Sequence, residues 1–266
     1  FYKDNFHPSQ AVLIVAGDVT SARMTAIAAR LFATWREPRS VRKEIIATMD
    51  EAPMLSVGSP PETPLLRNIL VVDLPKSGQA SVSYALPVFA GRATWEENVT
   101  KVDTDFYQAS VMESLLGGGY SSRLNQEIRL KRGLSYGAGS GFAWRWDKSN
   151  FSARTQTKNE SAAEVAELVL IEIKRLVDDE IPKGELDPRK SVLMGGFGRN
   201  IETTGGLVGA MADLYTFGLP IAELNRYMPS VNAVTDRQIR DFAKANLLGG
   251  DLIIVGDYEA FKADLA

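Results

Sequence analysis

Residues 115–136 read Leu115-Leu-Gly-Gly-Gly119-Tyr-Ser-Ser-Arg123-Leu-Asn-Gln-Glu127-Ile-Arg129-Leu-Lys-Arg132-Gly133-Leu-Ser-Tyr136. The glycines at 117–119 end one helix, since a residue without Cβ takes up the left-handed turn that closes a helix at no steric cost. Ser121 and Ser122 open a second helix, with Arg129 in its last turn, and Gly133 releases the chain into a strand beginning near Tyr136. The junction between helix and strand thus brings a guanidinium and a phenol together. Such a pair suits a peptide carbonyl or a developing oxyanion, through a planar fork of donors and one hydroxyl. The same residues also read as a helix C-terminal cation and a half-buried strand residue, and spacing alone favours that plainer reading.

Outward from this block the pattern is mixed. Upstream, Val99, Val102, Phe106, Ala109, Met112 and Leu116 step by three and four, which predicts one helix with a single apolar face. Residues 68–74 and 79–88 read as strands separated by Pro75 and Gly78. Downstream, 138–146 and 151–157 read as an antiparallel pair, with Phe142, Trp144 and Trp146 on one face and the turn at 147–150. Ser161-Ala-Ala-Glu164 has the form of a capping box opening a helix that buries Val165, Leu168, Val169, Leu176 and Val177. Helical patterns follow at about 183–203, 205–217, 220–228 and 235–247, and a strand closes the chain at 252–256. Strands flanked by several long helices predict an α+β sandwich, with a mixed sheet covered by helices.

Two features bear on domain organisation. Five of the twelve prolines (Pro38, Pro53, Pro60, Pro61 and Pro64) fall where apolar periodicity lapses, so 38–64 reads as an extended linker. The second feature is a repeat. Leu13-Ile-Val-Ala-Gly17-Asp18 is echoed by Leu252-Ile-Ile-Val-Gly256-Asp257, and Phe1, Lys3 and Asn5 are echoed by Phe242, Lys244 and Asn246 at nearly the same offset. In both copies a helix end precedes a short apolar strand. Self-similarity at about a domain length predicts two related halves. On this reading residues 1–37 are the tail of a first half, 38–64 the linker, and 65–266 a nearly complete second half.

Composition removes several chemistries. The 266 residues include one His and no Cys, which leaves no His/Cys zinc site, no Cys nucleophile, no iron–sulfur site and no disulfide. Any metal held here would sit on carboxylates alone. Thirty basic against thirty-three acidic side chains give a formal charge of −3, without the clustered basic surface that nucleic-acid binding requires. No apolar run approaches the ~18–20 residues of a membrane span, and Phe1-Tyr-Lys-Asp4 has the form of neither a start nor a signal peptide. The chain is therefore expected to be the interior of a longer precursor.

The remaining motifs carry little. Gly137-Ala-Gly139-Ser-Gly141 has Phe142 where a dinucleotide turn needs its third glycine, and Gly117–Gly119 lacks the lysine of a phosphate loop. Gly195-Gly196-Phe-Gly198 is better explained by close approach of two helices. His7, the sole imidazole, is expected to cap carbonyls or face water, and no Gly-x-Ser-x-Gly elbow is present. Nothing singles out a catalytic pair among the carboxylates.

Residues 115–136 closely resemble the LLGG-x-x-SSRL-x-x-x-(I/L)R-x-x-x-GL-x-Y block of the M16 metallopeptidases, the group of pitrilysin, insulinase and the mitochondrial processing peptidase. The resemblance extends to Phe6-His7-Pro8 with Val15-Ala-Gly17-Asp18, to Lys76-Ser-Gly-Gln79-Ala80, to Gly184-Glu185-Leu186 and to Leu207–Pro220. It implies the LuxS/M16 metallopeptidase-like α/β sandwich, as one of two homologous halves that enclose a chamber. Active members carry an H-x-x-E-H zinc motif in the first half, and one histidine cannot supply it. The resemblance therefore implies no cofactor and no metal site in this chain, with zinc in the other half. Their second half contributes an Arg and a Tyr, seven residues apart, that hold the substrate backbone and stabilise the tetrahedral intermediate. Arg129 and Tyr136 match in identity, spacing and context, whereas Arg132 has the wrong spacing. The implied partners are a peptide substrate and a zinc-bearing half, in cis or in a second subunit of a homo- or heterodimer, with no nucleic acid and no membrane span. The alternative is a non-catalytic peptide-binding or assembly subunit.

Overall fold

A computed structural model describes residues 6–36, 65–88, 90–96, 99–145 and 149–265, with backbone alone at 94–96 and 99–101. The Pro-rich stretch 38–64 lies outside the described residues, as do Phe1–Asn5 and residues 146–148, which hold the end of the strand expected at 138–146 and the start of the turn expected at 147–150. The chain divides into two compact units, residues 1–60 with 201–212, and residues 61–200 with 213–266.

The larger unit is built on a five-stranded sheet in the order β1-β7-β2-β6-β5. Its strands are β1 (Leu66–Asp73), β2 (Ala80–Val88), β5 (Ala138–Ala143), β6 (Ser149–Thr157) and β7 (Gly250–Gly256). β1 and β7 run parallel, while β2 is antiparallel to both β7 and β6, and β5 is antiparallel to β6. The sheet is therefore mixed. Alternation decides which face is inside: Ala80, Val82, Tyr84, Leu86 and Val88 of β2 are buried, and Phe151 and Ala153 of β6 and Leu252 and Ile254 of β7 join them. The Tyr84 hydroxyl lies 2.6 Å from the Leu247 carbonyl and accepts the Gly250 N–H at 2.9 Å, tying β2 to the start of β7. Desolvation pushes this phenol up to about 12. A Cβ at Gly250 would stand 2.3 Å from the Tyr84 ring, so glycine is what lets β7 pass there.

The helices follow their sequence signals with instructive exceptions. α1 (Ser21–Leu31) belongs to the smaller unit and is capped by Thr20, whose hydroxyl accepts from the Arg23 N–H at 3.3 Å. α2 (Thr104–Leu116) starts later than its apolar periodicity predicts, because Val99–Val102 forms β4 and pairs with β3 (Ala93–Glu96). The β-branched residues Val99, Thr100 and Val102 suit a pleated ladder, and Asp103 then starts the helix by accepting the Asp105 N–H at 2.9 Å. α2 buries Phe106, Ala109, Val111, Met112, Leu115 and Leu116, so it is embedded on most sides rather than along one face.

α3 (Ala162–Asp178) buries Val165, Leu168, Val169, Ile173 and Leu176, the stripe expected of an amphipathic helix. Full burial of each such aliphatic side chain stabilises by about 1.5–3 kcal/mol before entropy is subtracted. The capping box expected at Ser161 does not form: a 3₁₀ turn at Asn159–Ser161 leads into the helix and Ser161 makes no side-chain cap. The box does form at α7 (Asp236–Asn246), where Thr235 and Gln238 exchange both hydrogen bonds. Between these helices lie α4 (Lys183–Ile201), α5 (Thr204–Thr216) and α6 (Glu223–Ala233). A Cβ at Gly198 of α4 would meet Met228 of α6 at 3.2 Å, and Phe197 stacks on Tyr227 with centroids 4.4 Å apart, which is the close helix approach expected of that glycine cluster.

α7 and β7 form the downstream copy of the repeat. Of the upstream copy, Phe1–Asn5 lies outside the described residues, and residues 11–16 form no strand, with Val12, Leu13 and Val15 exposed. A strand exists only as a member of a ladder, and among the described residues no segment pairs with 11–16.

Candidate functional site

The block 115–136 folds as a helix end, a glycine turn and a short helix packed back on the sheet. At Gly117 the end of α2 touches β5 so closely that a Cβ would lie 2.1 Å from the Ser140 nitrogen. Gly119 adopts a φ of 126°, a conformation that side chains rarely allow. Ser122 then closes the turn, its hydroxyl donating to the Gly119 carbonyl at 2.7 Å. The helix that follows widens into a π-helix over Asn125–Leu130, so that the Lys131 N–H bonds the Gln126 carbonyl.

Asn125 is the staple of this arrangement. Its amide nitrogen donates to the carbonyls of Gly119 (3.0 Å) and Ala138 (2.5 Å), and its oxygen accepts the Ala138 N–H at 3.2 Å. Arg123 anchors the helix from the other side through a fork onto Glu185 of α4, at 2.7 and 2.8 Å. That hydrogen bond holds the Glu185 carboxyl below the usual range despite its desolvation. Arg189 of α4 reaches Ser121, with the guanidinium 3.1 Å from its hydroxyl.

On this scaffold Arg129 and Tyr136 come together. The Arg129 guanidinium carbon lies 5.0 Å from the centroid of the Tyr136 ring and 5.0 Å from that of Tyr120, so the cation is shared between two aromatic faces. Tyr136 is not the half-buried strand residue of the plainer reading. It precedes β5 and is 91% exposed. The backbone around it is nonetheless held, since Thr155 donates to the Gly137 carbonyl at 2.9 Å and Thr157 to the Leu134 carbonyl at 2.6 Å. Among the described residues Arg129 has no carboxylate partner, in contrast to Arg132, whose guanidinium is bound to Glu127 at 2.6 Å. Burial works against the Glu127 charge, but Lys131 and Arg132 outweigh it and keep that carboxyl low.

Tyr120 was not singled out by motif reading, although it stands in the same block directly after the glycines. Glu113 was missed as well. Its signal is a carboxylate on the apolar side of α2, four residues from Ala109 and seven from Phe106, both buried. Of the two roles expected for His7, facing water is removed by its burial: it is 3% exposed and precedes the 3₁₀ turn Pro8–Gln10 in the smaller unit. Among the described residues no three His, Cys, Asp or Glu side chains are grouped to hold a metal, and one histidine with no cysteine is a donor set that does not fit zinc. No described helix is long and apolar enough to cross a membrane.

The chain resembles known proteins along most of its length. Residues 1–193 match the family model described as the peptidase M16 inactive domain. The non-peptidase homolog YmxG of Helicobacter pylori is 28% identical over 155 residues, covering 56% of this chain and 34% of that protein. An uncharacterised zinc protease of Streptomyces coelicolor is 25% identical over 219 residues, covering 78% of this chain and 41% of that protein. The peptidase M16 inactive domain from Pseudomonas fluorescens superposes with a TM-score of 0.68 at 24% identity, over 90% of this chain and 52% of that one. A protease from Helicobacter pylori superposes with a TM-score of 0.69 at 19% identity, over 90% and 53%. The chain thus spans about a third to two fifths of the curated relatives and half of the solved chains. With a family model matched over 193 of 266 residues and the corresponding mixed α+β sandwich in place, the chain belongs to the peptidase M16 inactive-domain family.

Proposed function

We propose that this chain is the substrate-binding half of an M16-type zinc metallopeptidase, and that Arg129 and Tyr136 clamp the peptide backbone. The observation that supports this is the pairing of an arginine without a carboxylate partner among the described residues with a tyrosine that is 91% exposed. A guanidinium held within reach of two rings loses little rotamer freedom on binding and still presents N–H donors. In this reading Arg129 forks onto a substrate carbonyl and Tyr136 donates to the oxyanion as it develops. The zinc-bearing half, in cis or in a partner subunit, supplies the metal that activates water. The chain alone should bind no catalytic zinc and cleave no peptide.

A second reading is a non-catalytic peptide-binding or assembly subunit, favoured by the similarity to a relative named as a non-peptidase homolog. Peptide cleavage by the complete protein, alone and mixed with a zinc-bearing companion, separates the two. Cleavage that is lost on Arg129→Ala, with the fold and assembly intact, supports the clamp. Peptide binding without cleavage in every combination supports the second reading.

A further inference from the structure

Beside the glycine turn, and lined by neither Arg129 nor Tyr136, lies a second site. A cavity of about 350 Å³ lies between α2, α4 and α6, lined by Ser110, Glu113, Ser114, Val192, Leu193 and Tyr227. None of these residues is basic. Glu113 accepts the Phe142 N–H and makes no ion pair among the described residues, and burial holds its carboxyl up at about 7. Ser114 is 3% exposed, and among the described residues its hydroxyl has no hydrogen-bond partner. Ser110 spends its proton on the Phe106 carbonyl at 2.7 Å, which leaves its oxygen as an acceptor.

The lining therefore offers three compact acceptors close together in sequence, on the last turns of α2, where the helix dipole adds negative potential. A buried hydroxyl without a partner, as at Ser114, is costly, and a buried carboxylate without a cation, as at Glu113, more so. A group with several N–H donors and a positive charge relieves both. Val192 and Leu193 supply an apolar wall for a short alkyl stem, and the Tyr227 ring, backed by Phe197, closes another side.

We propose that this cavity binds a primary alkylammonium group, with Glu113 as the counter-ion, Ser110 and Ser114 as acceptors, and the stem against Val192, Leu193 and Tyr227. Three ammonium donors match three acceptors, and a four-carbon stem is within the cavity's volume. The group arrives either as a free alkylamine or as a lysine side chain on a peptide.

Calorimetric titration of the full protein at pH 8 with n-butylammonium chloride tests this, with n-butanol as the neutral isostere. The expected result is saturable binding of the amine, at least tenfold weaker binding of the alcohol, and at least a tenfold loss on Glu113→Gln. Val192→Trp, at an exposed lining position, should abolish binding with the melting temperature unchanged, which guards against a folding artefact in the first variant. Acetyl-lysine methylamide binding more tightly than n-butylammonium assigns the site to a peptide-borne side chain, and weaker binding assigns it to a free amine; either outcome sustains the ammonium site. No saturable binding to the folded wild-type protein, or binding indifferent to Glu113→Gln, overturns it. Because the readout is binding at Glu113, it stands or falls separately from cleavage through Arg129.

Discussion

The guanidinium carbon of Arg129 lies 5.0 Å from the ring centroid of Tyr136 and 5.0 Å from that of Tyr120. Two residues seven positions apart meet here because a π-helical turn and Gly133, at a φ of 65°, reverse the chain between them. The expected consequences can be measured one at a time.

Removing the Tyr136 hydroxyl should affect chemistry rather than folding, since the side chain is almost fully exposed. If the clamp proposed above operates in a complete, zinc-bearing protein, Tyr136→Phe there lowers kcat by ~10–1000-fold, the range for loss of one oxyanion donor. Steady-state kinetics with an unchanged thermal melt is the check, and an unaltered kcat would remove Tyr136 from the mechanism.

Tyr120→Ala removes one of the two aromatic faces around Arg129. A cation–π contact at an exposed site contributes about 0.5–1 kcal/mol, so kcat/KM should fall by roughly two- to fivefold. Tyr120→Phe keeps the ring and should restore the wild-type value. A deficit equal in both variants would point to the hydroxyl instead.

The Arg123–Glu185 fork fixes the helix that carries Arg129. Glu185→Ala leaves the Arg123 guanidinium, with only 6% of its side chain exposed, without its carboxylate, and should cost about 3 kcal/mol in chemical denaturation. Because the folded carboxyl is held below its unfolded value of 4.5, the pair's contribution is present above that pH and is lost as pH falls through the folded value. Wild-type stability should therefore drop more steeply on acidification than that of Glu185→Ala.

Glu113 has the opposite sign. Its carboxyl is raised from 4.5 to about 7 by burial, so between those values the folded state holds a proton that the unfolded state has released. Stability then declines as pH rises from about 4.5 to 7, by on the order of 3 kcal/mol. Glu113→Gln, neutral throughout, should raise the melting temperature at pH 8 and leave it nearly unchanged at pH 4. Equal shifts at both values would show that the carboxyl does not titrate as its burial requires.

The element inventory of the larger unit was legible in the sequence because each signal is local. The alternation in β2, the apolar stripe of α3, the Thr235 box and the glycine stops all act within a few residues. What stayed hidden depends on partners far along the chain. Val99 and Val102 keep helical spacing with Phe106, yet β3 captures them as a strand. Residues 11–16 have the composition of a strand, but no described segment offers them a ladder.

By itself the sequence determined the mixed α+β sandwich, the family block and the want of zinc ligands, since these follow from residue types, periodicity and spacing. Only the tertiary structure decided that Tyr120 completes the seat of Arg129, that Tyr136 is exposed, and that Glu113 and Ser114 face a shared cavity. Desolvation, cation–π contact and hydrogen-bond satisfaction depend on what surrounds a group in space, and that is fixed when α2, α4 and α6 pack together.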